Sequence, residues 1–254
     1  MKYYHFILIA IVSLSLTACE QTTEDFVTET YESYYPLQVG KYITYRLDSL
    51  VFVQSGSVPE THRYMVKHTI SAEITDASGR KAFLVNKLIN NENGSGPWLE
   101  NGNYTVTPLA DQVEVNEDNL RVIKLHNPFK LGFGWKGNAY LPTSPYRPAY
   151  DMDAGSEMNT WTFSYSNNND TTVNGHQYQN VWTVLQNEFV LNLPPTPGVK
   201  AYGLMEVGKE QYSKNIGLVF KDYKIYEYQP GHADNGEQPS YTGFGITMWM
   251  VDHN

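Results

Sequence analysis

The segment Asp151-Met152-Asp153-Ala154-Gly155-Ser156-Glu157 places three carboxylates, those of Asp151, Asp153 and Glu157, within seven residues. Oxygen-rich loops of this kind chelate Ca²⁺, so these three residues are the candidate ligands for a calcium ion. The spacing departs from an EF-hand loop, which wants Gly at its sixth position and Glu at its twelfth, where this chain has Ser156 and Thr162. A solvated acidic loop is the competing reading. Aromatic side chains offer a second chemistry. The chain has 20 Tyr, 10 Phe and 5 Trp, and Trp98, Trp135, Tyr140, Tyr146 and Tyr150 fall in segments rich in turn residues. Exposed rings there could stack on sugar faces or line an apolar cleft. Aromatics that simply cover β-sheets are the plainer alternative.

Other chemistries find little support. Gly132-Phe133-Gly134-Trp135-Lys136-Gly137 fits the glycine spacing of a dinucleotide-binding turn, but no helix and no βαβ unit follow it. A glycine-rich turn whose Trp135 packs on a sheet is the better reading. The histidines form no H-E-x-x-H motif. His62 and His68 share a strand face, yet at six residues apart they lie roughly 20 Å from one another and cannot share one metal ion. His68 therefore reads as a hydrogen-bonded interior residue and His62 as a surface one. No G-x-S-x-G elbow is present. Glu188, Glu206 and Glu210 could supply the carboxyl pair of a glycan hydrolase only if the fold brought them together. No catalytic residue is assigned. The formal charge of −9, with no cluster of Lys or Arg, argues against nucleic acid as a partner.

The elements that must carry these residues are strands. From Thr61 to Thr75 one face shows His62, Tyr64, Val66, His68, Ile70, Ala72 and Ile74, with polar residues between them. That period of two is a half-buried strand. Ile43, Tyr45, Leu47, Val51 and Val53 alternate before it, and the pair reads as a hairpin. Further strands are predicted at 81–90, 104–108, 120–125, 161–166, 177–191, 216–228 and 244–251. Asn-Gly dipeptides at 93–94, 101–102, 174–175 and 235–236 suit the positive φ angles of tight turns. No amphipathic helical window longer than about ten residues is visible. The expected fold is all-β and antiparallel, either a sandwich or a curved, barrel-like sheet. The proline-rich stretch 126–160 is a long loop within one domain or a boundary between two subdomains.

The N-terminus sets the location. Lys2 precedes an apolar run from Phe6 to Leu16, followed by Leu16-Thr17-Ala18-Cys19. That order is a signal peptide over residues 1–18, too short to span a bilayer. Its last four residues resemble the lipobox of bacterial lipoproteins, which implies that Cys19 is lipidated and anchors the chain to a membrane. Cys19 is the single cysteine, so no disulfide forms within the chain. Residues 19–34 read as a flexible acidic tether, and residues 35–254 as the β-rich domain. The acidic residues behind Cys19 also resemble the surface-export signal of Bacteroidetes lipoproteins. Tyr35-Pro36-Leu37-Gln38-Val39-Gly40-Lys41-Tyr42-Ile43-Thr44-Tyr45 is similar to the opening of a broad set of Bacteroidetes lipoproteins of unknown function, with Tyr42 where tryptophan is usual. The resemblance implies an extracytoplasmic β-rich lipoprotein of the outer membrane, on either leaflet, and no activity. Three functions are weighed: a non-enzymatic binding or scaffold module of the envelope, a lipid or lipoprotein carrier with an apolar cleft, and an envelope glycan hydrolase. A deep apolar concavity would single out the carrier.

Overall fold

The computed structural model describes residues 29–193, 200–231 and 238–254. They form twelve strands, β1 (Tyr42–Val53), β2 (Val58–Thr75), β3 (Lys81–Asn91), β4 (Leu99–Pro108), β5 (Gln112–Glu117), β6 (Leu120–His126), β7 (Gly134–Trp135), β8 (Phe163–Val173), β9 (His176–Leu191), β10 (Gly203–Ser213), β11 (Gly217–Gln229) and β12 (Ser240–His253). All lie in one antiparallel sheet, in the order β6-β5-β4-β3-β2-β1-β12-β11-β10-β9-β8-β7. The sheet is thus two six-stranded meanders joined where β1 pairs with β12. The fold is all-β, and of the two forms expected it is the curved sheet, nearly closed into a barrel. The stretch 126–160 runs from β6 to β8 across the outer edges of that sheet, so the strands on either side of it share one sheet rather than two subdomains.

Curvature comes from irregular pairing. Register slips leave Val251 of β12 unpaired opposite Thr44 and Tyr45, Ser71 of β2 opposite Leu84 and Val85, and Gln186 of β9 opposite Gly208 and Lys209. Each extra residue bends its strand and increases the local twist, which curls a long sheet toward closure. Gly102, at φ 84°, belongs to this set. Asn101-Gly102, expected as a turn, lies inside β4 opposite a slip between Asn86 and Leu88 of β3. The turn assignment fails there because Gly at positive φ serves a bulge as readily as a turn. At the β8–β9 hairpin the expected turn does form, with Asn174 and Gly175 at φ 48° and 81°. Asn235-Gly236 lies outside the described residues.

The two outer edges meet through side chains and loop backbone. The Ile123 amide donates to the Gly137 carbonyl at 2.8 Å, and Trp135 Nε1 donates to the Ile123 carbonyl at 2.9 Å. Tyr165 bridges the same seam, its hydroxyl donating to the His126 carbonyl at 2.8 Å and accepting from the His126 amide at 3.1 Å. Phe129 stacks on Tyr165 at 4.6 Å between ring centres, and Trp182 meets both rings edge-on.

Of the expected tether, residues 19–28 lie outside the described residues, as do the signal segment 1–18 and hence Cys19 itself. Residues 29–34 are packed instead of free. A helical turn at Tyr31–Tyr34 buries both tyrosines, with Tyr34 stacked on Phe129 at 5.0 Å and the Tyr31 hydroxyl donating to the Leu109 carbonyl at 2.5 Å. The Glu29 carboxylate accepts from Trp182 Nε1 and Lys214 Nζ, each at 2.9 Å. Aromatic burial overrides the acidic composition here.

Candidate ligand cavity

Alternation along the strands puts one side chain in two inside the curl, and the inside is not filled. Two adjoining cavities of about 110 and 340 Å³ occupy it, and both are lined by His68, Val115, Glu117, Lys124, Lys221 and Met248. The first is walled mainly by Ile43, Tyr45, Ile70, Val85, Leu218 and the ring of Tyr104. The second extends toward Leu47, Val66, Leu141, Tyr146, Phe244 and Ile246. Closely packed interiors leave few voids larger than a water molecule, so space on this scale is a candidate ligand cavity.

Charged groups stand where the two cavities meet. Lys87 of β3 pairs with Glu117 of β5, and Lys124 of β6 pairs with Glu210 of β10 at 2.7 Å. The Glu210 carboxylate also accepts from the Tyr212 hydroxyl at 2.7 Å. Burial works against both carboxylates, but Lys221 and Lys87 outweigh it at Glu117, and Lys124 and Lys221 outweigh it at Glu210, so each is held below its ordinary range. Lys221, on β11 beside Tyr223, makes no ion pair or hydrogen bond among the described residues. Burial, reinforced by Lys124, pushes its pKa down. His68 Nδ1 lies 3.2 Å from the Tyr104 hydroxyl. Burial lowers its pKa to about 4, Lys87 and Lys221 adding to that effect against the pull of Glu117, so the ring is neutral at pH 7.

Residues 138–158 close one end of the curl. Leu141, Met152, Ala154 and Met158 are buried, and Tyr146 sits edge-on to Phe244 at 5.0 Å with its hydroxyl 3.2 Å from that of Tyr223. The loop is tied down by its own backbone. The amides of Asp153 and Ala154 donate to Glu227 Oε2 at 2.8 and 3.1 Å, and the Gly155 amide donates to Glu206 Oε1 at 2.7 Å. The Tyr202 hydroxyl adds a third bond to Glu227 Oε2 at 3.0 Å. Gly155 has φ 78°, and a Cβ there would stand 3.1 Å from Ile225, so glycine is what lets the loop approach β11.

The residues singled out in the sequence distribute as follows. Tyr146 lines the cavity. Trp135 is 6% exposed and belongs to the seam, so the expectation of a loop-borne binding ring is corrected there: its indole is consumed by the bond to Ile123 and by Tyr165, 4.9 Å away. Trp98, Tyr140 and Tyr150 are on the outer surface, Tyr140 beneath the Arg121 guanidinium at 4.1 Å and Tyr150 against Phe244. The structure does not gather Asp151, Asp153 and Glu157 into a calcium site. Their side chains are exposed while Met152, Ala154 and Met158 between and beside them turn inward, and the loop directs amides, not oxygens, at its buried partners. Among the described residues no three His, Cys, Asp or Glu are grouped to hold a metal ion. Glu188 is exposed, whereas Glu206 and Glu210, four residues apart on β10, stand roughly 13 Å apart at about 3.3 Å per residue, wider than a glycosidase pair. His62 is at the surface, 3.1 Å from Glu60. Lys221, Glu117, Glu210 and Tyr104 had no motif to announce them.

No protein-family model matches the sequence, and a comparison with curated proteins finds no match. Among solved structures the chain is similar to a protein from Bacteroides fragilis assigned as exported and described as having a YmcC-like fold, at 11% identity over 86% of this chain and 99% of that one, with a TM-score of 0.41. It is also similar to a protein assigned as a lipoprotein from Parabacteroides distasonis, at 12% identity over 83% of this chain and 96% of that one, with a TM-score of 0.34. A domain assigned as an outer membrane lipoprotein-sorting protein from Vibrio parahaemolyticus aligns at 10% identity over 85% of each chain, with a TM-score of 0.17.

Proposed function

We propose that this is a lipid-anchored cell-envelope protein that carries or holds an amphiphilic molecule, one with an acyl or similar chain, inside its curved sheet. The observation that carries the reading is the unfilled interior, two adjoining cavities of about 110 and 340 Å³ with largely apolar walls and a polar waist. Apolar walls favour a chain, and a few polar groups at one depth give it a fixed orientation. The lipobox-like Leu16-Thr17-Ala18-Cys19 supports the anchor and the envelope location. The loop 138–158, held by three hydrogen bonds to Glu206 and Glu227, is the element that must part for a ligand to enter from that end.

The test is mass spectrometry of the native protein extracted from its own membranes in lipid nanodiscs, comparing it with a variant whose cavity is filled by Val115→Trp and Val85→Phe. Acyl-chain molecules retained by the native protein and lost from the filled variant are the expected result. Equal retention by both would place the lipid on the anchor or the disc and end the carrier reading.

A further inference from the structure

We infer that the molecule held in the cavity bears a monoanionic head group with two terminal oxygens, a carboxylate or a phosphodiester, received by Lys221 and Gln186. This rests on the cavity being a ligand site, and it assigns the chemistry of what enters. Of the charged groups at the waist, Lys87 and Lys124 are each matched by a glutamate, Glu117 and Glu210. Lys221 is the third lysine and makes no ion pair among the described residues: Glu117 and Glu210 act on it across the waist, but each is paired with another lysine. A buried ammonium without a counter-ion is costly, and an anion delivered by a ligand removes that cost.

Gln186 supplies an independent observation. The residue is 4% exposed and lines the larger cavity, and its Nε2 has no hydrogen-bond partner among the described residues. A buried amide donor left unsatisfied calls for an acceptor. It shares a wall with Lys221. Gly208 of β10 pairs with Tyr223 of β11, and Glu210 pairs with Lys221, one inward step along. A Cβ at Gly208 would stand 2.8 Å from Gln186 Oε1 and 3.4 Å from the Tyr223 ring, so glycine is what lets the Gln186 side chain pack across β10 beside Tyr223. One ammonium and one amide nitrogen that belong to the lining of the same cavity, neither with an acceptor among the described residues, fit two oxygens sharing a single charge. A neutral alcohol satisfies the amide and leaves the ammonium unmatched, and a cationic head adds to the excess.

The experiment uses the full-length acylated protein in phosphatidylcholine nanodiscs and three photo-crosslinking probes with the same diazirine-bearing C16 chain: the fatty acid, the alcohol, and the methyl phosphodiester. Half-saturating concentrations are read from crosslinked interior peptides in the native protein, Lys221→Met, Lys221→Arg and Gln186→Leu. The expected result is a loss of at least tenfold for one anionic probe in Lys221→Met, recovery to within threefold in Lys221→Arg, a loss of threefold or more in Gln186→Leu, and a change under twofold for the alcohol in every variant. Whichever anionic probe shows the dependence identifies the head group. If acid, phosphodiester and alcohol respond alike to Lys221→Met, the head-group assignment is overturned while the cavity still binds chains. If no probe crosslinks to interior peptides, the cavity reading falls and this inference with it. Thermal melting of each variant guards against misfolding, and Lys221→Met, which removes an unmatched buried charge, is expected to melt no lower than the native protein.

Discussion

Lowering the pH from 7 to 5 should destabilise this protein through one histidine, by an amount the interior fixes. His68 sits at the waist of the cavity with Tyr104 on its Nδ1, and burial brings its pKa from 6.5 to about 4. In the unfolded chain the ring takes up a proton as the pH falls through 6.5, whereas in the native fold it does not until about 4. The unfolded state therefore binds more protons across that window, and stability is complete above 6.5 and lost as the pH falls toward 4. At about 1.4 kcal/mol per unit the full loss is about 3 kcal/mol, and the part falling between pH 7 and 5 is about 2 kcal/mol, less whatever hydration the cavity gives the charged ring. Other groups titrate as well. Glu117 and Glu210, held low by their lysines, contribute stability that also fades as the pH falls below the ordinary carboxylate range. The clean measurement is a difference: urea unfolding at pH 7 and pH 5 for the native protein and for His68→Gln, which keeps a hydrogen-bonding side chain and cannot titrate. The native protein should lose about 2 kcal/mol more than the variant over that interval. Equal losses, within about 0.5 kcal/mol, would refute the burial argument and mean that water or a carboxylate serves His68 better than the geometry allows.

Three further outcomes are expected. Trp135→Ala should cost about 3 to 5 kcal/mol in chemical unfolding, since it empties the seam and leaves the Ile123 carbonyl without its donor. Glu227→Gln should cost about 1 to 3 kcal/mol by weakening charge-assisted bonds from Asp153, Ala154 and Tyr202, and hydrogen exchange should show the amides of 153 and 154 opening faster while those of β3 stay protected. Cys19→Ser should abolish lipid labelling and release the chain from the membrane fraction. Labelling that persists would mean the lipobox reading is wrong.

The strands were legible because a half-buried strand has only one way to alternate, and the 61–75 run occupies β2 as its period demanded. Three strands escaped the pattern, the two-residue β7 and two longer ones. β5 is six residues of Gln112-Val113-Glu114-Val115-Asn116-Glu117, in which Glu114, 2% exposed, is buried by Arg121 and Arg80 rather than by apolar neighbours. β10 carries Glu206, Gly208 and Glu210 on its inward face, which reads as a polar outer face. The aromatic residues misled for a related reason: turn-rich surroundings suggested exposure at Trp135, but a curled sheet needs a seam, and large flat side chains from a short strand such as β7 are what fill it.

The same ambiguity hid the site. Along β11 beyond the slip at Val219 the inward residues are Lys221, Tyr223, Ile225 and Glu227, and the outward ones are Phe220, Asp222, Lys224 and Tyr226. By composition either face could be the core. What decides it is tertiary: outside, Phe220 meets Trp249, over which Arg46 lies at 5.1 Å, so an apolar row is covered by its own neighbours, while inside, Lys221 faces a space that nothing in the described chain fills. A period of two locates a strand and leaves its two faces interchangeable. In a solid sandwich that choice would be forced by packing, with the lysine out and the phenylalanine in. Here the inverted assignment persists because the inside of the sheet is left unfilled. The inward lysine and the empty volume are therefore one observation, and filling the cavity should remove the advantage of having a charge there: in the Val115→Trp, Val85→Phe background, Lys221→Met should stabilise the protein more than it does in the native one, measured by urea unfolding of the four proteins. Additive effects would mean that Lys221 is hydrated independently of the cavity.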